Sequence, residues 1–232
     1  MLLLSFASPV LGTNCYIVAR DGGEECLLVD PGIGIDDDLE KILAEHALRP
    51  VAALVTHGHV DHTFALGTLC QRRELPVYIH EADAYRLDDP IGTLGPELAP
   101  MLAGLAGEWS RPPDVRFVRD GASFEVAGIT VRPWHAPGHT EGSVLYHLPQ
   151  PDADTAHLCF TGDVLFAGTI GRTDLPGGDP ATMERTLAEI AKPESGGGLP
   201  DATSVLPGHG DGDTLGNQRL TNPFLRNVRG LS

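Results

Sequence analysis

Three histidines and one aspartate are concentrated in a single short motif that could bind metal. The motif directly follows the apolar run 51–55, interpreted as a buried strand, and it reads Thr56-His57-Gly58-His59-Val60-Asp61-His62. Side chains alternate along an extended segment, so His57 and His59 are expected on one side, whereas Asp61 and His62 can reach a second point. Imidazole and carboxylate groups are the ligands of Zn²⁺ and similar ions. The motif therefore favours a metal site over a chance cluster of histidines in a polar loop.

Three further candidate ligands, His139, Asp163 and His209, stand next to glycines just after strand-like runs. Their surroundings are Pro137-Gly138-His139-Thr140, Thr161-Gly162-Asp163 and Pro207-Gly208-His209-Gly210. Glycine lets the backbone turn sharply and approach neighbouring groups closely. Each of these signals is weak alone, but four strand-end loops that present one type of ligand are much stronger together.

The elements that must position these residues occur in two successive stretches, roughly 1–90 and 114–232, each with strands before helices. Hydrophobic patterning predicts strands at Leu2–Phe6, Cys15–Ala19, Cys26–Val29, Val51–Val55, Val77–Ile79, Val115–Val118, Ser123–Val126, Ile129–Trp134, Val144–Leu148, His157–Thr161 and Val205–Leu206. This order predicts an α/β (α+β) fold of two packed sheets with helices outside. No linker divides the chain, so a single domain over 1–232 is expected.

Helices are predicted in four places, and residues 88–113 are predicted to form an irregular excursion with a helical turn or two. The first opens at Asp36-Asp37-Asp38, where acids suit the helix dipole, and is ended by Pro50. Its buried face is predicted to be Leu39, Ile42, Leu43 and Ala47. The others are a helix after His62 with Ala65, Leu66 and Leu69 inside, a short one over Glu81–Leu87, and Ala181–Ala191 with Pro180 in its first turn.

Composition excludes several functional classes. The chain has 232 residues and a formal net charge of −16, which disfavours nucleic acid and anionic membranes as partners because both require clustered Lys and Arg. The N-terminus lacks a basic region before its short apolar run, so a cytoplasmic protein is expected. Four cysteines without C-x-x-C spacing are expected to be buried free thiols: Cys15, Cys26, Cys70 and Cys159. The oligomeric state stays open.

The motif at 56–62, followed in order by Gly138-His139, Gly162-Asp163 and Gly208-His209, resembles the metallo-β-lactamase superfamily. Asn14-Cys15-Tyr16 and Leu28-Val29-Asp30-Pro31-Gly32 match its opening strands. The resemblance implies a four-layered αββα sandwich with two divalent metal ions, zinc being expected and iron or manganese the alternatives. It assigns His57, His59 and His139 to one ion, Asp61, His62 and His209 to the other, and Asp163 to both. Antibiotic-cleaving members often have cysteine where this chain has Asp163, which argues against β-lactam cleavage.

The stretch from Gly162 to Asp174 resembles glyoxalase II and its short bacterial relatives, which hydrolyse thioesters such as S-lactoylglutathione. The resemblance implies attack on a small-molecule thioester by a metal-bridging hydroxide, with Asp61 and Asp163 as catalytic residues. Only 23 residues follow His209, so the helical extension that supplies cations to glutathione is not expected. Arg172 is interpreted either as a substrate contact or as the partner of Asp174.

The alternative function within the same fold is a persulfide dioxygenase. Its single Fe(II) would be held by His57, His139 and Asp163, while Gly177-Gly178-Asp179 favours the hydrolase branch. An RNA-processing nuclease is disfavoured by the chain's length and acidity. Asp30 is expected to cap a turn or to orient a ligand histidine. His80 and His135 are interpreted as structural residues.

Overall fold

The computed structural model describes residues 1–150 and 157–229, and in residues 106–108 and 229 it describes the backbone only. Six strands form the first sheet in sequence order, from β1 to β6: Leu2–Ala7, Asn14–Ala19, Glu25–Val29, Arg49–Leu54, Val77–His80 and Val115–Val118. The first three strands are antiparallel, and β3 to β6 are parallel. Alternation along β2 places Cys15 and Ile17 on one face and Tyr16 and Val18 on the other, and both faces of this strand are buried.

The second sheet also has six strands, in the order β14-β13-β10-β9-β8-β7. In chain order these are β7 to β10 (Phe124–Val126, Ile129–His135, Val144–Leu148, Leu158–Gly162), β13 (Ser204–Pro207) and β14 (Asp213–Thr214). A separate hairpin is formed by β11 (Leu165–Phe166) and β12 (Thr169–Ile170). The strands β8 and β10 both run antiparallel to β9, and β13 runs parallel to β10. The carboxyl ends of β8, β10 and β13 therefore share one edge of this sheet.

The two sheets face each other across an apolar layer. Val18, Leu27 and Leu54 of the first sheet lie in the same buried cluster as Tyr146 and Phe160 of the second. Tyr146 donates its hydroxyl to the carbonyl oxygens of Val55 (3.2 Å) and Tyr78 (3.0 Å), so its polar atom also joins the two sheets. Burial of such large side chains is the main force that holds sheets together.

Helices cover both outer faces. In the described part of the chain they are α1 to α7: Asp36–Glu45, Val60–Thr63, Leu66–Arg73, Gly95–Leu102, Pro180–Ile190, Leu215–Thr221 and Pro223–Arg229. The helices α1 and α3 pack on the first sheet, and α5, α6 and α7 pack on the second. Asp179 caps α5 by accepting the Thr182 N–H at 2.6 Å, and Pro180 occupies the first turn. The expected αββα sandwich is confirmed.

The first helix ends earlier than its sequence pattern predicts. Helix α1 stops at Glu45, and Ala47 lies exposed beyond it with φ +52°, so the prediction that Ala47 belongs to its buried face is wrong. The Leu48 N–H donates to Leu43 O and the Ala47 N–H to Ala44 O, which is a Schellman termination. Alanine stands where glycine is usual, so the sequence carried no stop signal before Pro50. Pro50 does not end the helix but lies in β4.

The short elements were predicted in part. The short helix predicted at Glu81–Leu87 is a 3-10 helix, and the excursion over 88–113 contains α4, in agreement with the predicted helical turn or two. Helices α6 and α7 and strands β11, β12 and β14 were not predicted. All four cysteines are buried and free, as expected. No helix within the described residues is both long and apolar enough to span a membrane.

Candidate metal centre

Three histidine rings converge at the edge where the two sheets meet. His57 Nε2 lies 3.0 Å from His59 Nδ1, and His139 Nε2 lies 3.2 Å and 3.0 Å from these two atoms. All three side chains are at least 97% buried. Nitrogen ligands about 2.0–2.1 Å from a tetrahedral ion would lie about 3.3 Å apart, so the observed triangle is close to the size of a metal site.

The other ring nitrogens of this group are held by hydrogen bonds that fix the tautomer. His139 Nδ1 faces the carbonyl oxygen of Arg172 at 2.7 Å and must donate its proton to that hydrogen bond. In the neutral ring, Nε2 therefore carries no proton and offers its lone pair. The Thr56 hydroxyl donates to Asp30 at 2.7 Å and therefore accepts from His57 Nδ1 at 3.1 Å. His57 and His139 thus both direct unprotonated Nε2 atoms to the same point, the form in which imidazole binds a metal.

A second group of candidate ligands lies beside the first. His62 Nε2 is 3.4 Å from Asp61 Oδ2, and His209 Nε2 is 3.3 Å from the same oxygen. Helix α2 begins directly after His59 and carries Asp61 and His62. His209 enters from the end of β13, where Thr13 bridges to it and the Asn14 N–H donates to Gly208 O at 2.7 Å. The Thr13 hydroxyl donates to Asp61 Oδ2 at 2.9 Å, which orients that carboxylate.

Asp163 lies between the two groups. Its Oδ2 is 3.7 Å from His139 Nε2 and 3.5 Å from His209 Nε2, while its Oδ1 is 3.4 Å from His62 Nε2. One carboxylate thus faces a histidine of the first group and two histidines of the second, as a carboxylate shared by two ions would. All seven residues that the sequence predicted as ligands therefore come together.

Buried polar atoms without a hydrogen-bond partner indicate whether this cluster suits a metal. Among the described residues, His62 Nε2 and Asp163 Oδ1 are buried polar atoms without a hydrogen-bond partner. Such atoms cost free energy unless another group satisfies them. Within each of the two groups of candidate ligands, the histidine and aspartate ligand atoms also lie within 4.8 Å of one another. Borderline divalent ions are bound by such nitrogen and oxygen donors, so the residues fit a metal centre.

Asp30 is hydrogen-bonded to both groups of candidate ligands, directly or through Thr56. Its expected role of orienting a ligand histidine agrees with these contacts. Its carboxylate accepts the Thr56 N–H at 2.8 Å and the Thr56 hydroxyl at 2.7 Å, and it lies 3.0 Å from His62 Nδ1. His62 therefore donates from Nδ1 and presents Nε2 to Asp61 and Asp163. Through Thr56, the same carboxylate also fixes the tautomer of His57. Asp30 has φ +51°, a left-handed conformation that is unusual for residues other than glycine.

A second buried carboxylate, Asp83, was not predicted. It accepts the N–H groups of Gly58 and Gly142, both at 2.8 Å, and the hydroxyl of Thr140 at 2.7 Å. Asp83 therefore joins the loop of His57 and His59 to the loop of His139. Arg86 lies beside it at 3.4 Å, so the pair is buried together. An added Cβ at Gly58 would lie 2.8 Å from the Arg86 side chain, which explains the glycine between the two histidines.

Arg86 extends this connection to two further segments of the chain. Its Nη2 donates to Glu141 Oε2 at 2.6 Å and to Pro176 O at 2.8 Å. Asp83 and Arg86 lie in the 3-10 helix that follows β5, where an acid and a base resemble ordinary solvated side chains in sequence. No local pattern distinguishes them, because their partners are up to 90 residues away.

Charge divides the two groups of candidate ligands. Burial and the neighbouring imidazoles hold the pKa of His57 well below its usual 6.5, and the same causes lower the pKa of His59 to about 3. Burial would also lower the pKa of His62, but the carboxylates of Asp61, Asp163 and Asp30 raise it well above 6.5. Burial would raise the pKa of Asp163, but His62 and His139 hold it below its usual value. The first group is therefore neutral, and the carboxylates favour positive charge at the second.

His80 and His135 lie outside this cluster. Their rings stack at 3.9 Å with a 6° interplanar angle, and His135 Nε2 contacts Glu141 O at 2.8 Å. Neither residue is in a group of candidate ligands among the described residues. Their interpretation as structural residues agrees with these contacts.

A cavity of about 330 Å³ opens onto the centre. Five of the seven candidate ligands line it: His59, Asp61, His139, Asp163 and His209. Arg172 lies on its wall, and its guanidinium makes two hydrogen bonds of 2.7 Å to the carboxylate of Asp174. Both sequence interpretations of Arg172 thus agree with its position, since it borders the cavity and pairs with Asp174.

Two facing sheets between helical layers, with a histidine and aspartate centre at one edge, define a metal-binding α/β protein.

Comparison with known proteins identifies the family. The model of the metallo-beta-lactamase superfamily matches residues 8–209. An uncharacterized protein of Mycobacterium tuberculosis is 40% identical over 230 residues, 98% of this chain and 99% of that protein. Hydroxyacylglutathione hydrolase GloC of Haemophilus influenzae is 32% identical over 213 residues, 91% of this chain and 92% of that protein.

Solved structures agree with this family. BLEG-1 B3 metallo-beta-lactamase superposes with a TM-score of 0.76 at 31% identity, covering 97% of this chain and 99% of its own. TTHA1623 in a di-iron-bound form superposes with a TM-score of 0.75 at 35% identity, covering 95% and 99%. The chain belongs to the metallo-beta-lactamase superfamily and has its fold.

Proposed function

We propose that the chain is a metal-dependent hydrolase that cleaves a small-molecule thioester. The observation that carries this proposal is the convergence of seven histidine and aspartate side chains into two adjoining groups, with Asp163 between them. A two-metal centre is the arrangement that superfamily hydrolases use. The thioester preference is supported by the 32% identity to a hydroxyacylglutathione hydrolase, which makes S-lactoylglutathione the reference substrate.

In this proposal His57, His59 and His139 hold one ion, Asp61, His62 and His209 hold the second, and Asp163 binds both. Zinc is expected, and iron or manganese would suit the same donors. The di-iron form of a relative at 35% identity supports iron as an alternative. When bound there, two divalent ions would supply a water of lowered pKa, toward ~7, and a positive charge that polarises a carbonyl oxygen.

The protein's own groups supply orientation and charge. Thr13 holds Asp61, Asp30 holds His62, and Thr56 with Arg172 O fixes the tautomers of His57 and His139. Asp61 and Asp163 are the proposed catalytic carboxylates, because both line the cavity and carry negative charge at neutral pH. Since a thiolate leaves readily, no strong general acid is required.

The experiment that tests this function measures two reactions on the same protein. Separate preparations loaded with Zn²⁺, Fe²⁺ and Mn²⁺ are given S-lactoylglutathione without oxygen, and thiol release is followed. Oxygen uptake with glutathione persulfide is followed in parallel. Thioester cleavage without oxygen is expected. Oxygen uptake with the persulfide, together with no thioester cleavage, would replace the hydrolase by the single-Fe(II) dioxygenase.

Substitution of His209 sharpens the distinction, because only the two-metal proposal requires that residue. His209→Ala should lower kcat/KM for the thioester by at least ~100-fold, in the range of losses from a metal centre. His46→Ala is the matched control, since His46 is exposed at the end of α1 and should leave activity unchanged. A chromogenic cephalosporin belongs in the panel because a neighbour at 31% identity is a B3 metallo-beta-lactamase. We expect no turnover of it, since Asp163 stands where antibiotic-cleaving members often have cysteine.

A further inference from the structure

The wall of the cavity beyond the candidate ligands is built mainly from large apolar side chains. They come from separate segments: Leu11 before β2, Leu98 and Met101 of α4, Phe166 of β11, and Leu175. Leu98 and Leu102 pack with Val60 in a small apolar cluster, which anchors α4 beside the centre. Leu11 is 56% exposed and Met101 is 75% exposed, although each lines the cavity. Contiguous exposed apolar surface of this kind marks a binding site for an apolar group.

The same wall offers little positive charge. No Lys or Arg occurs from residue 87 to residue 110, the segment that contains α4, and the only charged residue within α4 is Glu97. Arg172 is the one Arg or Lys among the described residues that border the cavity. Its guanidinium makes two 2.7 Å hydrogen bonds to the carboxylate of Asp174. The one cation on the wall therefore already has an anionic partner.

The basic residue of α6 is also engaged elsewhere. Arg219 is 3% exposed and donates to the carbonyl oxygens of Ile190 (3.1 Å) and Leu199 (2.9 Å) and to Asp201 (2.6 Å). Arg219 therefore caps the carboxyl end of α5, and because it is buried there it cannot bind a substrate. Glutathione and coenzyme A carry carboxylates or phosphates, and such groups are normally bound by Arg or Lys. With a formal net charge of −16, the chain disfavours anionic thiol carriers further.

We propose that the cavity selects thioesters that combine an apolar acyl group with an uncharged thiol carrier. This inference rests on the proposed thioesterase function and names its substrate class. The reaction is hydrolysis: a water oxygen bonds to the thioester carbonyl carbon, and the carbon–sulfur bond breaks. The electron pair leaves with sulfur as thiolate, the acyl group becomes a carboxylate, the two protons of the water are released to solvent, and no oxidant or reductant takes part. Apolar walls stabilise the acyl chain more strongly with each methylene that they bury.

The test compares kcat/KM for four substrates with the metal-loaded protein. They are hexanoyl- and acetyl-N-acetylcysteamine, which are uncharged, and hexanoylglutathione and S-lactoylglutathione, which are anionic. We expect kcat/KM for hexanoyl-N-acetylcysteamine to exceed kcat/KM for its acetyl analogue and for hexanoylglutathione by at least ~10-fold. This factor is at the low end of the substrate discrimination that hydrophobic pockets achieve. Preference for S-lactoylglutathione would overturn this inference and leave the proposed function standing. Cleavage of none of the four would overturn both.

A charge placed on the wall provides an independent readout. Met101→Lys should raise kcat/KM for hexanoylglutathione and lower it for hexanoyl-N-acetylcysteamine, so that their ratio changes by several-fold. Leu220→Lys is the matched control, because Leu220 is 72% exposed on α6 and does not border the cavity. It adds the same charge and should leave the ratio unchanged. An identical ratio in Met101→Lys and Leu220→Lys would contradict the assignment of this wall to the substrate.

Discussion

Replacement of Asp83 by alanine should destabilise the protein and impair the metal centre, although Asp83 touches no candidate ligand side chain. Its carboxylate is fully buried and accepts hydrogen bonds from Gly58, Gly142 and Thr140 at 2.7–2.8 Å. Gly58 separates His57 from His59, and Thr140 follows His139. Loss of the carboxylate removes the connection between two loops that carry the first group of candidate ligands.

The expected loss of folding stability follows from the polar groups that Asp83→Ala leaves without their acceptor. Two backbone N–H groups and one hydroxyl lose a charged acceptor, and hydrogen bonds to charged groups contribute about 1.5–3 kcal/mol each. Arg86 loses one neighbouring charge but keeps its 2.6 Å ion pair with Glu141, so the cost at Arg86 is below the about 3–5 kcal/mol of a buried pair that is broken outright. These effects overlap, since they describe one carboxylate. A loss of ~4 kcal/mol corresponds to a melting temperature about 10 °C lower for a chain of this size.

The assay is thermal unfolding of the metal-loaded protein, followed by metal analysis and kcat/KM at a temperature where the variant is folded. Asp88→Ala is the control, because Asp88 pairs with Arg111 at the surface, and exposed pairs contribute at most about 1 kcal/mol. We expect Asp83→Ala to lose metal and activity while Asp88→Ala retains both. A melting temperature of Asp83→Ala equal to that of the control would refute the argument that this buried carboxylate organises the centre.

Three further outcomes are expected. Chelation should lower the melting temperature by about 5–10 °C, because ions present at 100 times their Kd stabilise the folded state by about 2.7 kcal/mol; an unchanged melting curve would contradict metal binding. Asp163→Ala should lose both metal and thioesterase activity, and full retention of either would show that this carboxylate is not shared by two ions. Burial, with help from His157 and Arg132, lowers the pKa of His147 to about 4, below the unfolded value of 6.5. Protons therefore favour the unfolded chain as the pH falls from 6.5 to 4, at a cost of up to ~3 kcal/mol, and His147→Gln should lose less stability over this range in urea titrations.

The candidate ligands were predictable because their signal is local. Four of them lie within six residues directly after a buried strand, and the others follow strands at glycine-flanked turns. Eleven of the fourteen strands in the described part of the chain were predicted within one or two residues of their bounds, since apolar runs of two to six residues bounded by turns reveal them. The other three, β11, β12 and β14, have only two residues each. The parallel strand ends then bring the loops to one edge, which is why separated motifs form one centre.

The supporting groups were not predictable to the same extent. Asp30 could be associated with the centre because it follows a strand, whereas Asp83 lies in a polar turn that resembles solvated surface. Its partners are 25 to 59 residues away, so only the folded arrangement of three loops reveals its role. Helices α6 and α7 have seven residues each, too few for a clear periodic pattern. Ala47 ends α1 in a conformation that glycine usually adopts, so the termination had no sequence signal.

We expect this chain to hold two metal ions through its two groups of candidate ligands. The metal content of the purified protein and of His209→Ala, measured by inductively coupled plasma mass spectrometry after saturation and removal of excess metal, tests this directly. We expect about two ions per chain in the unsubstituted protein, as a two-metal hydrolase requires, and close to one in His209→Ala. One ion per chain in both proteins would contradict it.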